Sequence, residues 1–149
     1  MKVVSTNRKA SHLYEILDTY EAGIVLKGSE VKSLRQGEVS LSDAYAEIKN
    51  NEVFLYNLHI TPYRFSTIST PDPKRKRKLL LKKEEIKRLF GTITQKGNVL
   101  IPRKIYFNDK GFAKISIAVC RRKRIFDKKE KILREEAKKN LKKIKSLSR

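Results

Sequence analysis

Residues 44–60, AYAEIKNNEVFLYNLHI, carry the clearest secondary-structure signal in the chain. Hydrophobic and polar residues alternate on both sides of Asn50-Asn51, as they do in half-buried strands. Asparagine tolerates positive φ, which a tight two-residue turn between antiparallel strands requires. The stretch therefore predicts a β-hairpin.

Further strands are expected on both sides of this hairpin. Residues 13–26 alternate in part and predict a long strand that bends near Gly23. Residues 98–107 and 112–120 also alternate, with a turn between them. Pro102 predicts an edge or a bulge in the first of these runs, because proline donates no ladder hydrogen bond.

Two short helices are expected among the strands. Ser29 is a plausible N-cap and Gly37 a plausible stop for the first helix. The second is expected over residues 82–90, a short strand near Leu79–Leu81 and irregular chain over residues 1–11. Five or six strands with two short helices predict a mainly β domain over residues 1–120, closed as an OB-like barrel.

The charge of the chain is strongly basic and unevenly spread. Its 149 residues include 36 Lys and Arg against 16 Asp and Glu, a formal net charge of +20. Residues 121–149 contribute +10 of it, and nine cations lie within residues 74–88. Charge at this density repels itself in a globule and is attracted to a polyanion, so nucleic acid is the leading partner.

Residues 121–149 are expected to form a basic tail rather than part of the barrel. The segment has helix-forming residues without Gly or Pro, and its apolar stripe is a single narrow row. A stripe this thin does not stabilise an isolated helix. We expect the tail to be disordered when free and helical when bound.

Several classes of function find little support in the sequence. One cysteine, Cys120, allows no internal disulfide, and two histidines leave no Cys/His metal cluster. No phosphate-binding loop or catalytic triad order is present, so we expect no catalytic site, no metal and no cofactor. The N-terminus lacks a signal-peptide pattern and no apolar run spans a membrane, which predicts a cytoplasmic protein without a membrane partner.

A series of ordered motifs resembles the SsrA-binding protein family, also called small protein B. The motifs cover essentially the whole chain, and their order is specific although no single one suffices. They are, in sequence, Asn7-Arg8-Lys9-Ala10 with His12 and Tyr14, Tyr20-Glu21-Ala22-Gly23-Ile24, Gly28 to Arg35 (GSEVKSLR), Ile60-Thr61-Pro62-Tyr63, Asp72-Pro73 with Arg75 to Leu81 (RKRKLLL), Gly97 with Ile101-Pro102 and Tyr106-Phe107, and Asp127-Lys128-Lys129.

The resemblance implies a function that composition alone does not. Members bind transfer-messenger RNA at its tRNA-like end and deliver it to bacterial ribosomes stalled on messages without a stop codon. This process, trans-translation, tags the unfinished peptide for proteolysis. The family's body is an OB-like barrel that grips the elbow of the RNA, and its tail becomes helical in the message channel near the decoding centre. An elongation factor is implied only indirectly, through the RNA, and the protein is expected to be a monomer.

The family motifs also imply which residues bind. Arg and Lys suit phosphates, whereas amide and hydroxyl groups suit base edges and 2′-hydroxyls. The RNA-binding set carried onto this chain is Asn7, Arg8, Lys9, His12, Glu21, Lys32, Ser33, Arg35, Arg75, Arg77, Lys78 and Leu80. Glu21 is unusual against an anion, and is expected either to accept from a base amino group or to orient a neighbouring cation.

The tail carries the motif implied to act at the ribosomal decoding site. Phe126 is expected to stack on ribosomal RNA bases beside Asp127, and Lys128 and Lys129 to hold phosphates. Lys129 replaces the family's usual arginine and loses a bidentate fork, and Arg122 stands where the family commonly has glycine.

Two other functions remain open from the residues themselves. A general or ribosomal RNA-binding protein would bind unrelated structured RNAs equally well at matched salt. A small nuclease or RNA-modifying enzyme would use His12 and Glu21, and replacing His12 would stop cleavage.

Overall fold

The computed structural model describes residues 1–65, 71–95 and 97–123, and these form a mainly β fold with short helices. The described residues contain nine strands and three helices, which is more strands than the pattern predicted. In chain order the elements are β1 (Lys2–Thr6), α1 (Arg8–Leu13), β2 (Tyr14–Ile24), α2 (Gly28–Arg35), β3 (Val39–Ser40), β4 (Tyr45–Lys49), β5 (Glu52–Tyr56), β6 (His59–Ile60), β7 (Arg77–Leu80), α3 (Lys83–Ile93), β8 (Asn98–Phe107) and β9 (Ala113–Arg122).

Seven strands form one antiparallel sheet in the order β1-β8-β4-β5-β7-β2-β9. Strand β9 also pairs with β8 along its length. The pairings β8-β4-β5-β7-β2-β9 therefore lead back to β8. The junction between β4 and β8 is a single pair, Ala46 with Leu100. Strands β3 and β6 form a separate two-stranded sheet.

The predicted hairpin is confirmed as β4 and β5. Asn50 and Asn51 have φ of 52° and 62°, the left-handed conformation that such a turn needs. The strands pair from Tyr45–Tyr56 to Lys49–Glu52. Val53 and Leu55 are fully buried, so the intervening residues of β5 lie on the outer face.

The two predicted irregularities in the long strands have different outcomes. Strand β8 shifts register between Pro102 and Lys104, so the bulge that proline predicted is confirmed. In β2 the register shifts between Ile16 and Asp18, and the bend near Gly23 stays a prediction. Strand β9 continues to Arg122, two residues past the point where its alternating pattern ends.

The expectation of an irregular N-terminus is wrong. Strand β1 pairs with β8 from Lys2–Phe107 to Thr6–Lys104. Helix α1 packs its one buried residue, Ala10, against Ile101 and Cys120. Segments this short owe their order to a partner far along the chain, which local pattern does not reveal.

Both predicted helices are present with shifted ends. Helix α2 begins at Gly28, and its N-cap is Lys27 rather than Ser29. Glu30 of its first turn accepts a hydrogen bond from the Lys27 backbone N–H at 2.9 Å. Helix α3 continues through Gly91 to Ile93.

One hydrophobic core fills the inside of the large sheet, with Leu34 of α2 and Leu89 of α3 fully buried in it. Within the described part of the chain, none of the helices has the length and apolar character to cross a membrane.

Candidate nucleic-acid interface

Helix α1 presents the first group of predicted contacts. Arg8, Lys9 and His12 are all exposed, on the side of the helix away from buried Ala10. Because Ala10 holds the helix on β8 and β9, these three side chains stand outward as a small ridge that carries the charges of Arg8 and Lys9. Their exposure suits contact with a phosphate backbone.

Asn7, at the N-cap of α1, is buried rather than displayed. It is 8% exposed, and its Nδ2 donates to the Pro102 carbonyl at 3.1 Å and to the Leu41 carbonyl at 3.4 Å. Its backbone N–H donates to the Arg103 carbonyl at 2.6 Å. Its Oδ1 has no hydrogen-bond partner among the described residues. These contacts make Asn7 the anchor that ties α1 to β8.

Helix α2 presents a second pair of exposed cations, each above an aromatic ring. Lys32 Nζ lies 5.5 Å from the Tyr63 ring centroid, and the Arg35 guanidinium lies 5.1 Å from that of Phe107. A ring face holds a cation in place without neutralising its charge, so the cation can still bind a phosphate. Ser33, between them, is only 2% exposed.

The carboxylate of Glu30, a buried residue of α2, binds both arginines of the basic segment 74–78. Arg77 donates to Glu30 Oε2 through Nε at 2.9 Å and also through its terminal amino group. Arg75 donates through Nε to the same oxygen at 3.1 Å and to Oε1. Arg77 is fully buried and also donates to the Leu58 and Pro73 carbonyls at 2.6 and 3.0 Å.

The charge state of Glu30 follows from these contacts. Burial by itself raises the pKa of a carboxyl, since it disfavours the charged form. Hydrogen bonds from Arg75, the Lys27 backbone and Arg77 outweigh burial and hold the pKa of Glu30 below its ordinary value. The cluster of Glu30, Arg75 and Arg77, called here the Glu30 hub, is thus an ionised internal tie between α2 and β7.

Exposed and buried side chains alternate along the basic segment 74–78, whose last two residues begin β7, so the segment has two faces. Lys76 and Lys78 are exposed, whereas Arg75 is half-buried and Arg77 fully buried. Lys78 Nζ lies 3.4 Å from Glu52 Oε1. The Glu30 hub therefore ties α2, which carries Lys32 and Arg35, to the segment that carries Lys76 and Lys78.

Glu21 and Leu80 lie on the outer face of neighbouring strands. Leu80 is 52% exposed and opposite Gly23 in the β2–β7 pairing. Glu21 is exposed and accepts a hydrogen bond from the Tyr106 hydroxyl. The pKa of Tyr106 is raised first by burial, then by this hydrogen bond and by the Glu21 charge. The partner that the structure gives Glu21 is therefore a tyrosine and not one of the cations the sequence suggested.

An added Cβ at Gly23 would lie 3.3 Å from the Leu80 Cβ, which is tighter than an ordinary contact. Glycine here therefore lets the Leu80 side chain lie close over β2.

The aromatic ring of Phe54 on β5 was missed as an interface candidate from the sequence. Lys76 lies over Phe54 at 4.5 Å, Lys104 over Tyr106 at 5.5 Å. The available signal was alternation: Phe54 lies between Val53 and Leu55, which are fully buried, so it points outward. Tyr20 and Tyr106 are buried, with exposed fractions of 8% and 4%, so neither ring is displayed to solvent.

Other predicted features have less structural detail. Phe126, Asp127, Lys128 and Lys129 lie outside the described residues. Cys120 is 1% exposed and burial raises its pKa to about 11, as in an inert buried thiol. Among the described residues, no group of His, Cys, Asp and Glu is placed to hold a metal ion.

Comparison with known proteins identifies close relatives along nearly the whole chain. Residues 4–146 match the family model described as SmpB protein. The SsrA-binding protein of Pseudothermotoga lettingae is 54% identical over 142 residues, 95% of each chain. That of Thermus thermophilus is 46% identical over 97% of this chain and 100% of its own.

A solved structure agrees with the fold. It is described as "tmRNA-SmpB: a journey to the center of the bacterial ribosome", and its matching chain is 50% identical with a TM-score of 0.71. The match covers 84% of this chain and 87% of that one. The family model, the relatives and this structure together place the chain in the SmpB family of SsrA-binding proteins.

Proposed function

We propose that this protein is a non-enzymatic adaptor that binds transfer-messenger RNA and delivers it to stalled ribosomes for trans-translation. The observation that carries this conclusion is the match to the SmpB family over residues 4–146, with relatives named as SsrA-binding proteins. The solved tmRNA–SmpB relative associates the same fold with the bacterial ribosome. Ribosome rescue takes place in the cytoplasm, where the protein is expected to act as a monomer, with an elongation factor engaged only through the RNA.

The strand pairings support an OB-like closed barrel as the body. Six strands form a circuit, β8-β4-β5-β7-β2-β9 and back to β8. Such barrels bind oligonucleotides on their outer faces and adjoining loops. We propose this body over residues 1–120, followed by the basic tail over residues 121–149.

Within the body, the predicted RNA-binding residues divide by exposure into two roles. Exposed basic side chains are proposed to contact phosphates directly: Arg8, Lys9, His12, Lys32, Arg35 and Lys78. Buried or internally bonded residues are proposed to position them: Asn7, Ser33, Arg75 and Arg77.

Glu21 and Leu80 complete the proposed surface on the outer face of β2 and β7. The Tyr106 hydroxyl fixes one Glu21 oxygen, which orients the carboxylate to accept from a base amino group at its other oxygen. Leu80 is proposed to pack against an unstacked base, since half of its side chain is free of protein contact. An acid at this place adds selection for base identity that phosphate contacts lack.

The tail motif is proposed to act on the ribosome rather than on the free RNA. Phe126 would stack on ribosomal RNA, and Lys128 and Lys129 would hold phosphates around Asp127. Truncation after Arg124 is expected to preserve transfer-messenger RNA binding and to abolish peptide tagging on stalled ribosomes. Tagging that survives the truncation would contradict the proposed role of the tail.

A salt series on three RNAs tests the proposed function directly. Transfer-messenger RNA, an ordinary tRNA and an unrelated hairpin are each titrated with the full chain. In a plot of log binding constant against log salt concentration, every phosphate contact contributes a slope of about −0.7 to −0.9. High salt therefore weakens the phosphate contacts of all three RNAs alike. A preference for transfer-messenger RNA that persists at high salt is expected. Equal binding of all three would instead indicate a general charge-driven RNA binder.

A further inference from the structure

The outer face of the β4–β5 hairpin carries three aromatic rings that the core does not use. Tyr45 and Tyr56 are stacked, with centroids 5.3 Å apart and planes 18° from parallel. Phe54 lies two residues before Tyr56 on the same side of β5. Tyr45, Phe54 and Tyr56 are called here the aromatic face. Their opposite side buries Val53 and Leu55 completely, so the core is already filled without them.

Lysines from two elements surround the aromatic face. Lys76 Nζ lies 4.5 Å from the Phe54 centroid, and Lys49 Nζ lies 5.4 Å from that of Tyr56. Lys78 is the residue directly across from Phe54 on β7. Glu47 and Glu52 lie on the same face, near Lys49 and Lys78 respectively. Three lysines against two glutamates leave a small positive excess, so charge alone does not define a ligand here.

Hairpin stability accounts for only part of this arrangement. A stacked cross-strand pair stabilises a hairpin, which explains Tyr45 and Tyr56. Phe54 has different neighbours, Glu47 on one side and Lys78 on the other. A phenylalanine between two charged residues on an outer face contributes neither to the core nor to an aromatic pair.

We propose that the aromatic face is a stacking site for unpaired RNA bases, with Lys76 and Lys49 contacting the flanking phosphates. Aromatic side chains on the open face of a sheet are a recurrent way to hold splayed-out bases. A base stacking on Phe54 displaces the Lys76 ammonium from the ring and frees it for the adjacent phosphate. A duplex offers no free base faces, so the ligand class is single-stranded or looped RNA. The site rests on the proposed function and extends it to residues outside the predicted contact set.

The test compares the same substitution at half-buried Phe54 and at exposed Phe112. Phe54→Leu removes the ring and keeps its bulk, Phe54→Tyr keeps the ring, and Phe112→Leu is the control, since Phe112 is 64% exposed in the β8–β9 turn. Each full-length variant is titrated with transfer-messenger RNA, with vacant ribosomes and with an unpaired oligonucleotide across a salt series. Phe54→Leu is expected to weaken binding about tenfold, since stacking on one ring is worth between about fivefold and a hundredfold.

The salt slope separates stacking from charge. Phe54→Leu is expected to leave the slope unchanged, because no phosphate contact is lost. Lys76→Gln is expected to reduce its magnitude by about 0.7 to 0.9. Phe54→Tyr and Phe112→Leu are expected to bind as the original protein does. If Phe54→Leu binds free transfer-messenger RNA more weakly, the stacked bases belong to transfer-messenger RNA. If it binds only ribosomes more weakly, they belong to ribosomal RNA.

Two results would overturn the stacking site. One is Phe54→Leu binding all three ligands as tightly as Phe112→Leu does. The other uses the unaltered protein, so it applies even if Phe54→Leu unfolds. The protein is crosslinked to RNA that contains 4-thiouridine, and the stacking site is wrong if no crosslink maps to residues 45–56 or 76–78. Should the unaltered protein show no preference for transfer-messenger RNA, the proposed function fails instead, which the first titration reveals separately.

Discussion

Arg77 and Lys78 are neighbours in sequence and carry the same charge, yet they belong to different parts of the molecule. Arg77 is fully buried, with its guanidinium shared between Glu30 and three backbone carbonyls. Lys78 is exposed and has a single carboxylate neighbour at 3.4 Å. The comparison teaches that a run of basic residues overstates an RNA footprint when strand alternation turns half of it inward.

The two regions also differ in what a lost charge costs. A buried ion pair is costly to break, because its remaining partner stays uncompensated away from water. An exposed pair is solvated on both sides and contributes about 0–1 kcal/mol. The Glu30 hub should therefore govern stability, and the exposed lysines should govern RNA affinity.

The largest effect is expected from Arg77→Gln. It leaves Glu30 and three backbone carbonyls short of donors and should lower the free energy of unfolding by about 3–5 kcal/mol. Urea denaturation followed by circular dichroism measures this loss. Glu52→Gln, which removes an exposed partner of Lys78, is the control. If both changes shift the midpoint equally, the distinction between the two regions is wrong.

Acid should weaken the same hub without any substitution. The folded-state pKa of Glu30 is lowered from its ordinary value of 4.5, so its stabilisation is fully present above that pH. It is lost as pH falls through the lower folded-state pKa. The loss should be smaller than in Arg77→Gln, because a neutral carboxyl still accepts hydrogen bonds.

The measurement for Glu30 is the free energy of unfolding between pH 7 and pH 3. Other carboxylates titrate in this range, so Glu30→Gln is the reference, and its stability should fall less steeply with acid than that of the unaltered protein. Parallel curves for the two proteins would show that Glu30 does not titrate between the folded and unfolded states.

An intermediate effect is expected at Asn7. Asn7→Ala leaves the Pro102 and Leu41 carbonyls without their donor and should cost about 1–3 kcal/mol of stability. Ser11→Ala, on the exposed side of the same helix, is the control. If Asn7→Ala reduces RNA binding while the thermal midpoint stays unchanged, Asn7 contacts RNA directly and its positioning role is wrong.

The smallest effect on stability is expected from Lys78→Gln. The free energy of unfolding should change by less than about 1 kcal/mol, since the pair with Glu52 is exposed. RNA affinity should fall several-fold, and the salt slope should lose about one phosphate contact. An unchanged slope would remove Lys78 from the direct contacts.

Sequence patterns predicted the elements whose signals are local. The Asn50–Asn51 turn, the bulge at Pro102 and the alternation through β8 and β9 depend on residues close together in the chain. The same patterns failed at β1 and α1, which are short and are ordered by β8 about 100 residues later. The motif resemblance identified the family. Its predicted RNA-binding set mixes buried and exposed residues, because both kinds belong to the same motifs.

The sequence by itself determined the family, the excess of positive charge and the period of most strands. Only the tertiary structure decided which basic residues face the solvent. Glu30 and Arg77 are 47 positions apart, so their pairing has no local signal. Charge is a property of composition, whereas its exposure depends on which distant partner the folded sheet brings within hydrogen-bond distance.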